Sequence, residues 1–307
     1  MSDQTARDQT APDQYTFDDP RTRYPAIDPP EQQQGGTGLQ SEMDPVPDLG
    51  EDTYRGTGRL RGRKALVVGG DSGIGGATAI AFAREGADVV ISYLGPEESD
   101  AQHVLQQVEA AGVKGVGVQG DLTEDGFPER LVEEARTALG GLDALAIVAG
   151  KQVTSKDLTQ LPDEQFVETF ETNVFALFRI VKAAVPHLPP GSTIVTTASL
   201  ETWQASPERI DYASTKGAIN TLSKGIAQQL AGKGIRVNTV APGPTWTALQ
   251  VSGGIPADEI PGFGQDGPLG RAAQPAELAP AYVFFTSAES SYVVGATLSV
   301  NGGVPTP

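Results

Sequence analysis

The chain has 307 residues and no cysteine; 22 Lys+Arg stand against 39 Asp+Glu, giving a formal net charge of −17. That balance argues against nucleic acid or an anionic membrane surface as partner. The missing cysteines rule out disulfides and cysteine–zinc sites. With only two histidines, His103 and His187, no metal site is expected. No apolar run approaches the ~20 residues of a membrane span, and the N-terminus lacks the basic and apolar regions of a signal peptide, so a cytoplasmic protein is expected.

Residues 1–57 are rich in Asp, Gln, Thr, Pro and Gly and poor in large apolar side chains. Such a stretch cannot offset its ordering entropy by burial, and a disordered tail is predicted over 1–38. Residues 39–57 carry Leu39, Met43, Val46, Leu49 and Tyr54, which suit an extended arm lying along a neighbouring subunit. The remainder, 58–307, reads as one domain, since α/β folds of about 250 residues are commonly undivided.

That domain opens with Ala65–Val68, an apolar run of the kind a fully buried strand shows. Gly69, Gly70, Asp71, Ser72, Gly73, Ile74 and Gly75 follow, then an Ala-rich helix ended by Gly86 and a strand over Val89–Ser92. A glycine-rich turn between strand and helix suits a dinucleotide pyrophosphate, because backbone approaches closely and free helical N–H groups hold the anion. Tyr93 and Leu94 stand where the adenosine ribose sits. No Arg or Lys is near, and Glu97 and Glu98 follow. That is a poor place for a 2′-phosphate, so between NAD and NADP the reading leans to NAD.

Further elements follow in order. Residues 100–111 read as a helix with Val104, Leu105 and Val108 on one face, and Gly115–Gln119 as a strand. Asp121 reads as an N-cap before a helix over 124–138. In the strand Leu145–Gly150, the Ala149-Gly150 pair lets the backbone approach a ligand. Residues 163–188 read as one helix whose Phe166, Val167, Phe170, Val174, Leu177, Phe178 and Val181 form a core stripe. Asn173, beside that stripe, is on its own an ordinary satisfied polar group, and His187 reads as a helix-end residue.

Thr193–Thr197 is a strand with Ser199 at its carboxyl end, where open α/β sheets hold ligands. Tyr212 and Lys216 lie four apart and so share one helix face. Moving a hydride between a carbonyl and a nicotinamide also moves a proton at the substrate oxygen. Tyr212 suits that acid/base role, Lys216 would draw its pKa down, and Ser199 would stabilise charge on the oxygen. A helix to 231 and the strand Ile235–Val240 lead to a Pro-Gly turn, Pro242–Thr247, which by itself is an ordinary turn. Residues 248–275, rich in Gly and Pro, form a long loop that reads as functional or disordered. A helix over 277–287 and a strand over Thr297–Val300 close the fold.

Gly69-x-x-x-Gly73-x-Gly75 followed by Tyr212-x-x-x-Lys216 resembles the short-chain dehydrogenase/reductase family over about Gly58 to Gly303. GGDSGIG (69–75), AGKQ (149–152) and APGPTWTALQ (241–250) look like a bacterial subgroup with an N-terminal extension, similar to glucose/ribitol dehydrogenases or aldehyde reductases. The resemblance implies a doubly wound Rossmann fold: one α/β domain with a seven-stranded parallel sheet and helices on both faces. It makes Asn173 the fourth member of a tetrad with Ser199, Tyr212 and Lys216, holding a water at a break in its helix. It places Asp121 and Leu122 beside the adenine, sets Pro242, Gly243, Thr245 and Thr247 at the nicotinamide carboxamide, has Lys216 hold the nicotinamide ribose, and makes residues 248–275 a substrate lid with Trp203 and Trp246 as walls. The family's usual Asn-Asn-Ala-Gly is Ile147-Val148-Ala149-Gly150 here, which removes side-chain hydrogen bonds bracing the sheet. A homotetramer and an alcohol/carbonyl oxidoreductase of sugars, alditols or small aldehydes are expected. The alternatives are a stress-related NAD(P)H-binding sensor or scaffold without turnover, an enoyl reductase, whose Tyr–Lys spacing is usually wider, and an epimerase.

Overall fold

The computed structural model describes residues 13–307. Seven strands form its sheet: β1 (Lys64–Val68), β2 (Asp88–Tyr93), β3 (Gly115–Gln119), β4 (Ala144–Ile147), β5 (Thr193–Thr197), β6 (Arg236–Pro242) and β7 (Thr297–Val300). All pairs are parallel, in the order β3-β2-β1-β4-β5-β6-β7. Parallel neighbours require long crossovers, and helices supply them: α1 (Gly73–Arg84), α2 (Glu98–Ala110), α3 (Phe127–Leu139), α4 (Asp163–Phe170), α5 (Ala176–Ala184), α6 (Ile210–Ala231) and α7 (Pro275–Thr286).

Alternation along β1 shows why its run is uniformly apolar. Ala65 and Val67 join the core under α1, α2 and α7, while Leu66 and Val68 join the core under α3, α5 and α6. Successive side chains point to opposite faces, and both faces are covered from Ala65 to Val68, so apolar residues fill all four positions. Strand order reverses between β1 and β4, and the crevice at the strand carboxyl ends opens there.

The helix expected over 163–188 is broken. A π-helical turn, Glu171–Phe175, separates α4 from α5, and a 3-10 turn, Val185–His187, ends the run. The extra residue of a π turn changes the phase of the apolar stripe. Val174, Leu177 and Val181 are buried as expected, but Phe166, Val167 and Phe178, with Phe175, are exposed. Three of the seven stripe residues are therefore surface.

Residues 13–57, expected as a disordered or extended arm, run along the domain's own surface in turns and extended segments; residues 1–12 lie outside the described range. Leu49 and Tyr54 enter the core beside α1 and α7, and Ile27 and Met43 enter a satellite cluster around Trp246. Glu85, fully buried at the end of α1, anchors the arm. It accepts from the Tyr54 hydroxyl at 2.8 Å, Arg59 Nε at 2.9 Å and Thr57 N–H at 2.8 Å. Among the described residues no helix is long and apolar enough to cross a membrane.

Candidate active site

β1 delivers the chain into the glycine turn at the switch point. Gly69 has φ +72°, and a Cβ there would lie 2.8 Å from Ala149 Cα. A Cβ on Gly75 would lie 1.7 Å from the Gly69 carbonyl oxygen. These glycines thus let strand, turn and helix close on one another. The Ser72 side chain makes no capping bond to the α1 N-terminus; the Gly73 N–H instead donates to Gln40 Oε1 at 2.7 Å.

The turn opens onto a cavity of about 510 Å³. The structure brings together there all the residues expected to meet a cofactor: Gly69, Asp71, Ser72, Gly73, Ile74 and Gly75; Tyr93 and Leu94; Asp121 and Leu122; Ala149 and Gly150; Pro242, Gly243, Thr245 and Thr247. Ser199, Tyr212 and Lys216 line the same space, and Ala248, Leu249, Gln250 and Ser252 border it from the expected lid. Glu97, Gln152 and Lys151 also line it, as do Gly36 and Thr37 from the N-terminal arm. Trp246 departs from its expected place as a wall. It is fully buried in the satellite cluster, its indole N–H donating to the Pro45 carbonyl at 2.7 Å. Trp203 does not line the cavity.

The end holding Tyr93 and Leu94 is acidic. Burial, with Glu97 and then Asp100 nearby, pushes the Asp71 carboxyl up to about 7. Glu97 is raised by burial, and the Tyr93 hydroxyl, donating to Glu98 at 2.7 Å, is pushed up to about 12 by burial and that carboxylate. Asp121 does not cap a helix. Its carboxylate accepts from the Thr123 N–H and hydroxyl at 2.8 and 2.7 Å, and α3 starts after Gly126.

At the other end, Ser199 follows β5 and Tyr212 and Lys216 project from α6. Lys216 Nζ donates to the Thr197 carbonyl at 3.1 Å and lies 5.2 Å from the Tyr212 ring centroid. Burial holds the ammonium down at about 8 against the opposing pull of Glu201. Tyr212 differs from expectation, for burial and then the Glu201 charge hold its phenol above the ordinary value of 10, outweighing a hydrogen bond with Ser199. Nothing in the spacing of the motif signals Glu201. It lies two residues after Ser199, donates its N–H to Ser199 Oγ at 3.1 Å and accepts from Arg209 Nε at 2.8 Å. Its Oε2 is buried without a partner among the described residues.

Asn173 sits within the π turn rather than on the cavity wall. Its Oδ1 accepts from Lys151 N–H at 2.7 Å, and its Nδ2 donates to the Lys151 carbonyl and Thr215 Oγ1 at 2.9 and 3.0 Å. A Cβ on Gly150 would fall 3.4 Å from Lys216 Nζ and 3.6 Å from Asn173 Oδ1. The bare backbone there leaves both groups facing one small space.

The sequence profile described as Enoyl-(Acyl carrier protein) reductase matches residues 68–305. An Escherichia coli protein named uncharacterized oxidoreductase YghA is 57% identical, over 93% of this chain and 97% of its own length. The Arabidopsis thaliana protein named NADPH-dependent aldehyde reductase 1, chloroplastic, is 38% identical, over 89% of this chain and 96% of its own. A Burkholderia cenocepacia short chain dehydrogenase solved in complex with NADP superposes with TM-score 0.74 at 32% identity, covering 80% of this chain and 98% of that one. The cofactors named for these relatives are NADP and NADPH, so they lend no support to the lean toward NAD. With its all-parallel sheet and glycine turn, the chain belongs to the short-chain dehydrogenase/reductase family.

Proposed function

We propose that this NAD(P)-dependent oxidoreductase interconverts the alcohol and carbonyl forms of a sugar, alditol or small aldehyde or ketone, with Ser199, Tyr212, Lys216 and Asn173 as its catalytic set. One observation carries the reading. A single cavity runs from a helix N-terminus whose Ser72 makes no side-chain cap to a buried Tyr–Lys–Ser cluster. That donor set fits a dinucleotide: helical N–H groups and the dipole suit the pyrophosphate, and a buried cation at the far end suits the nicotinamide ribose. When bound, the cofactor supplies or accepts the hydride.

The chain's own residues handle the proton and the charge. In the reductive direction Tyr212 donates to the substrate oxygen; a phenol whose pKa is raised by burial and then by Glu201 is protonated and ready for that step. Ser199 Oγ accepts from the Glu201 N–H, which fixes the hydroxyl beside Tyr212, where it would donate to the same oxygen once substrate is bound. Lys216 keeps two N–H groups beyond its bond to Thr197, one for the ribose and one for the space beside Gly150. Asn173 fixes that space by holding Lys151 N–H and carbonyl together. Oxidation reverses each transfer, and deprotonation of Tyr212 then sets the lower pH limit of activity.

Turnover of a panel of aldehydes, ketones, sugars and alditols, each with NADH and NADPH, tests the proposal. Wild type should turn over part of the panel, and Ser199→Ala should lose about 100-fold in kcat with little change in cofactor affinity. Unchanged kcat in Ser199→Ala would reject the assignment. A homotetramer is part of this reading. Exposed Phe166, Val167, Phe175 and Phe178 on α4, the π turn and α5 supply the apolar surface for self-association, which light scattering measures.

A further inference from the structure

The wall of the cavity formed by the N-terminal arm has no counterpart in the glycine turn or the catalytic cluster. Gly36 and Thr37 line the cavity at the end that holds Tyr93, Leu94 and Glu97. Thr37 shares this wall with Glu97, whose carboxylate accepts from the Leu94 N–H at 2.9 Å. Three residues on, the arm is fastened to the helical lip. Buried Gln40 accepts the Gly73 N–H at 2.7 Å, and the N–H groups of Gln40 and Ser41 donate to Asp100 at 2.6 and 3.2 Å.

The same segment is fastened to the opposite lip. Gln34 N–H donates to the Val251 carbonyl at 2.8 Å, and the Gln34 side chain clamps Leu39 through both its N–H and carbonyl, at 2.5 and 3.0 Å. Gly38, at φ +78°, passes so close to the lid that a Cβ would lie 3.0 Å from Ser252 Cβ and 3.3 Å from the Ala248 carbonyl. Residues 34–41 therefore bridge the two sides of the cavity mouth, one at α1 and α2 and the other at residues 248–252.

We infer that residues 34–41 form a strap over the adenosine end of the cofactor site, with Thr37 as a contact residue and Gln40 as the residue that positions it. The inference rests on the dinucleotide reading above. The dinucleotide enters and leaves when the strap lifts from one lip, so the strap controls its residence time. Gln40 is coupled to the pyrophosphate site directly, because its side chain holds an N–H of the glycine turn.

Hydrogen exchange on the full chain, with and without NADPH and then NADH, reads both claims separately. Binding should slow exchange at residues 69–75 and also at 34–41. Stopped-flow release of the reduced cofactor should then be about tenfold faster in Gln40→Ala, the effect of one lost buried hydrogen bond, while the cofactor-free protein stays folded with a melting temperature only a few degrees lower. Gly38→Val, which forces the strap off the lid without touching the glycine turn, should speed release as well. Protection at 69–75 with no change at 34–41, and unchanged release in both variants, would overturn the strap and leave the dinucleotide site standing. No protection anywhere with either cofactor would overturn the site itself and the strap with it.

Discussion

Lys216 is held in a place that suits its chemistry and opposes folding. Its ammonium is buried and its pKa is drawn from an ordinary 10.5 down to about 8. At ~1.4 kcal/mol per pH unit, that displacement amounts to about 3 kcal/mol of folding free energy lost at pH 7. Lys216→Met keeps most of the side-chain volume and removes the charge. It also loses the bond to Thr197, about 1 kcal/mol. The variant should therefore be more stable at pH 7 by about 2 kcal/mol, a rise in melting temperature of about 4 °C for a domain this size. The pH dependence carries a definite sign. The folded-state pKa lies below the unfolded one, so between about 8 and 10.5 the unfolded chain binds more protons and wild type gains stability as pH rises. The advantage of the variant should shrink to nothing by about pH 10 while turnover stays below wild type by about 100-fold or more at every pH. Calorimetric melts of the cofactor-free proteins at pH 7 and 10 make the measurement. A variant less stable than wild type at pH 7, or a difference that ignores pH, would refute the reasoning.

Gly75→Ala sets a Cβ 1.7 Å from the Gly69 carbonyl, and denaturant melts should show a loss of about 3 kcal/mol together with lost cofactor affinity. Glu85→Ala leaves Arg59 and Tyr54 without their buried partner and should cost about 3–5 kcal/mol in the same melts. Burial opposes but hydrogen bonds from Arg59 and Thr57 hold Glu85 down at about 2, so wild type should keep this contribution above about pH 4.3 and lose it as pH falls toward 2. Glu201→Gln removes a charge that raises Tyr212; the alkaline limb of carbonyl reduction should move to lower pH, which a kcat/KM profile records.

The parts legible in the sequence are those fixed by local chemistry. A strand buried on both faces favours apolar residues, so Ala65–Val68 of β1 and all of β4 announce themselves, and a Tyr and Lys four apart on a helix face one cleft. The arm is illegible for the opposite reason. Ile27, Met43, Leu49 and Tyr54 are too sparse to form a pattern, and each finds its partners more than 20 residues away, at Trp246, α1 and Glu85. Periodicity also misled over 163–188, because a π turn shifts the phase without any composition signal. Trp246 turns away from the cavity because the arm covers it, through the Pro45 carbonyl and the Met43 side chain, and no local pattern encodes that contact. The raised pKa of Tyr212 comes first from burial and then from the Glu201 charge, and the spacing of Tyr212 and Lys216 encodes neither.

The central claim is that this cavity binds a nicotinamide dinucleotide and that Tyr212 moves the proton. Fluorescence titration of wild type and Tyr212→Phe with NADH and NADPH, followed by turnover of the carbonyl panel, tests both halves at once. The account predicts that one or both cofactors bind the two proteins with equal affinity and that only wild type turns over. Equal turnover in Tyr212→Phe, or no binding of either cofactor to wild type, would contradict it.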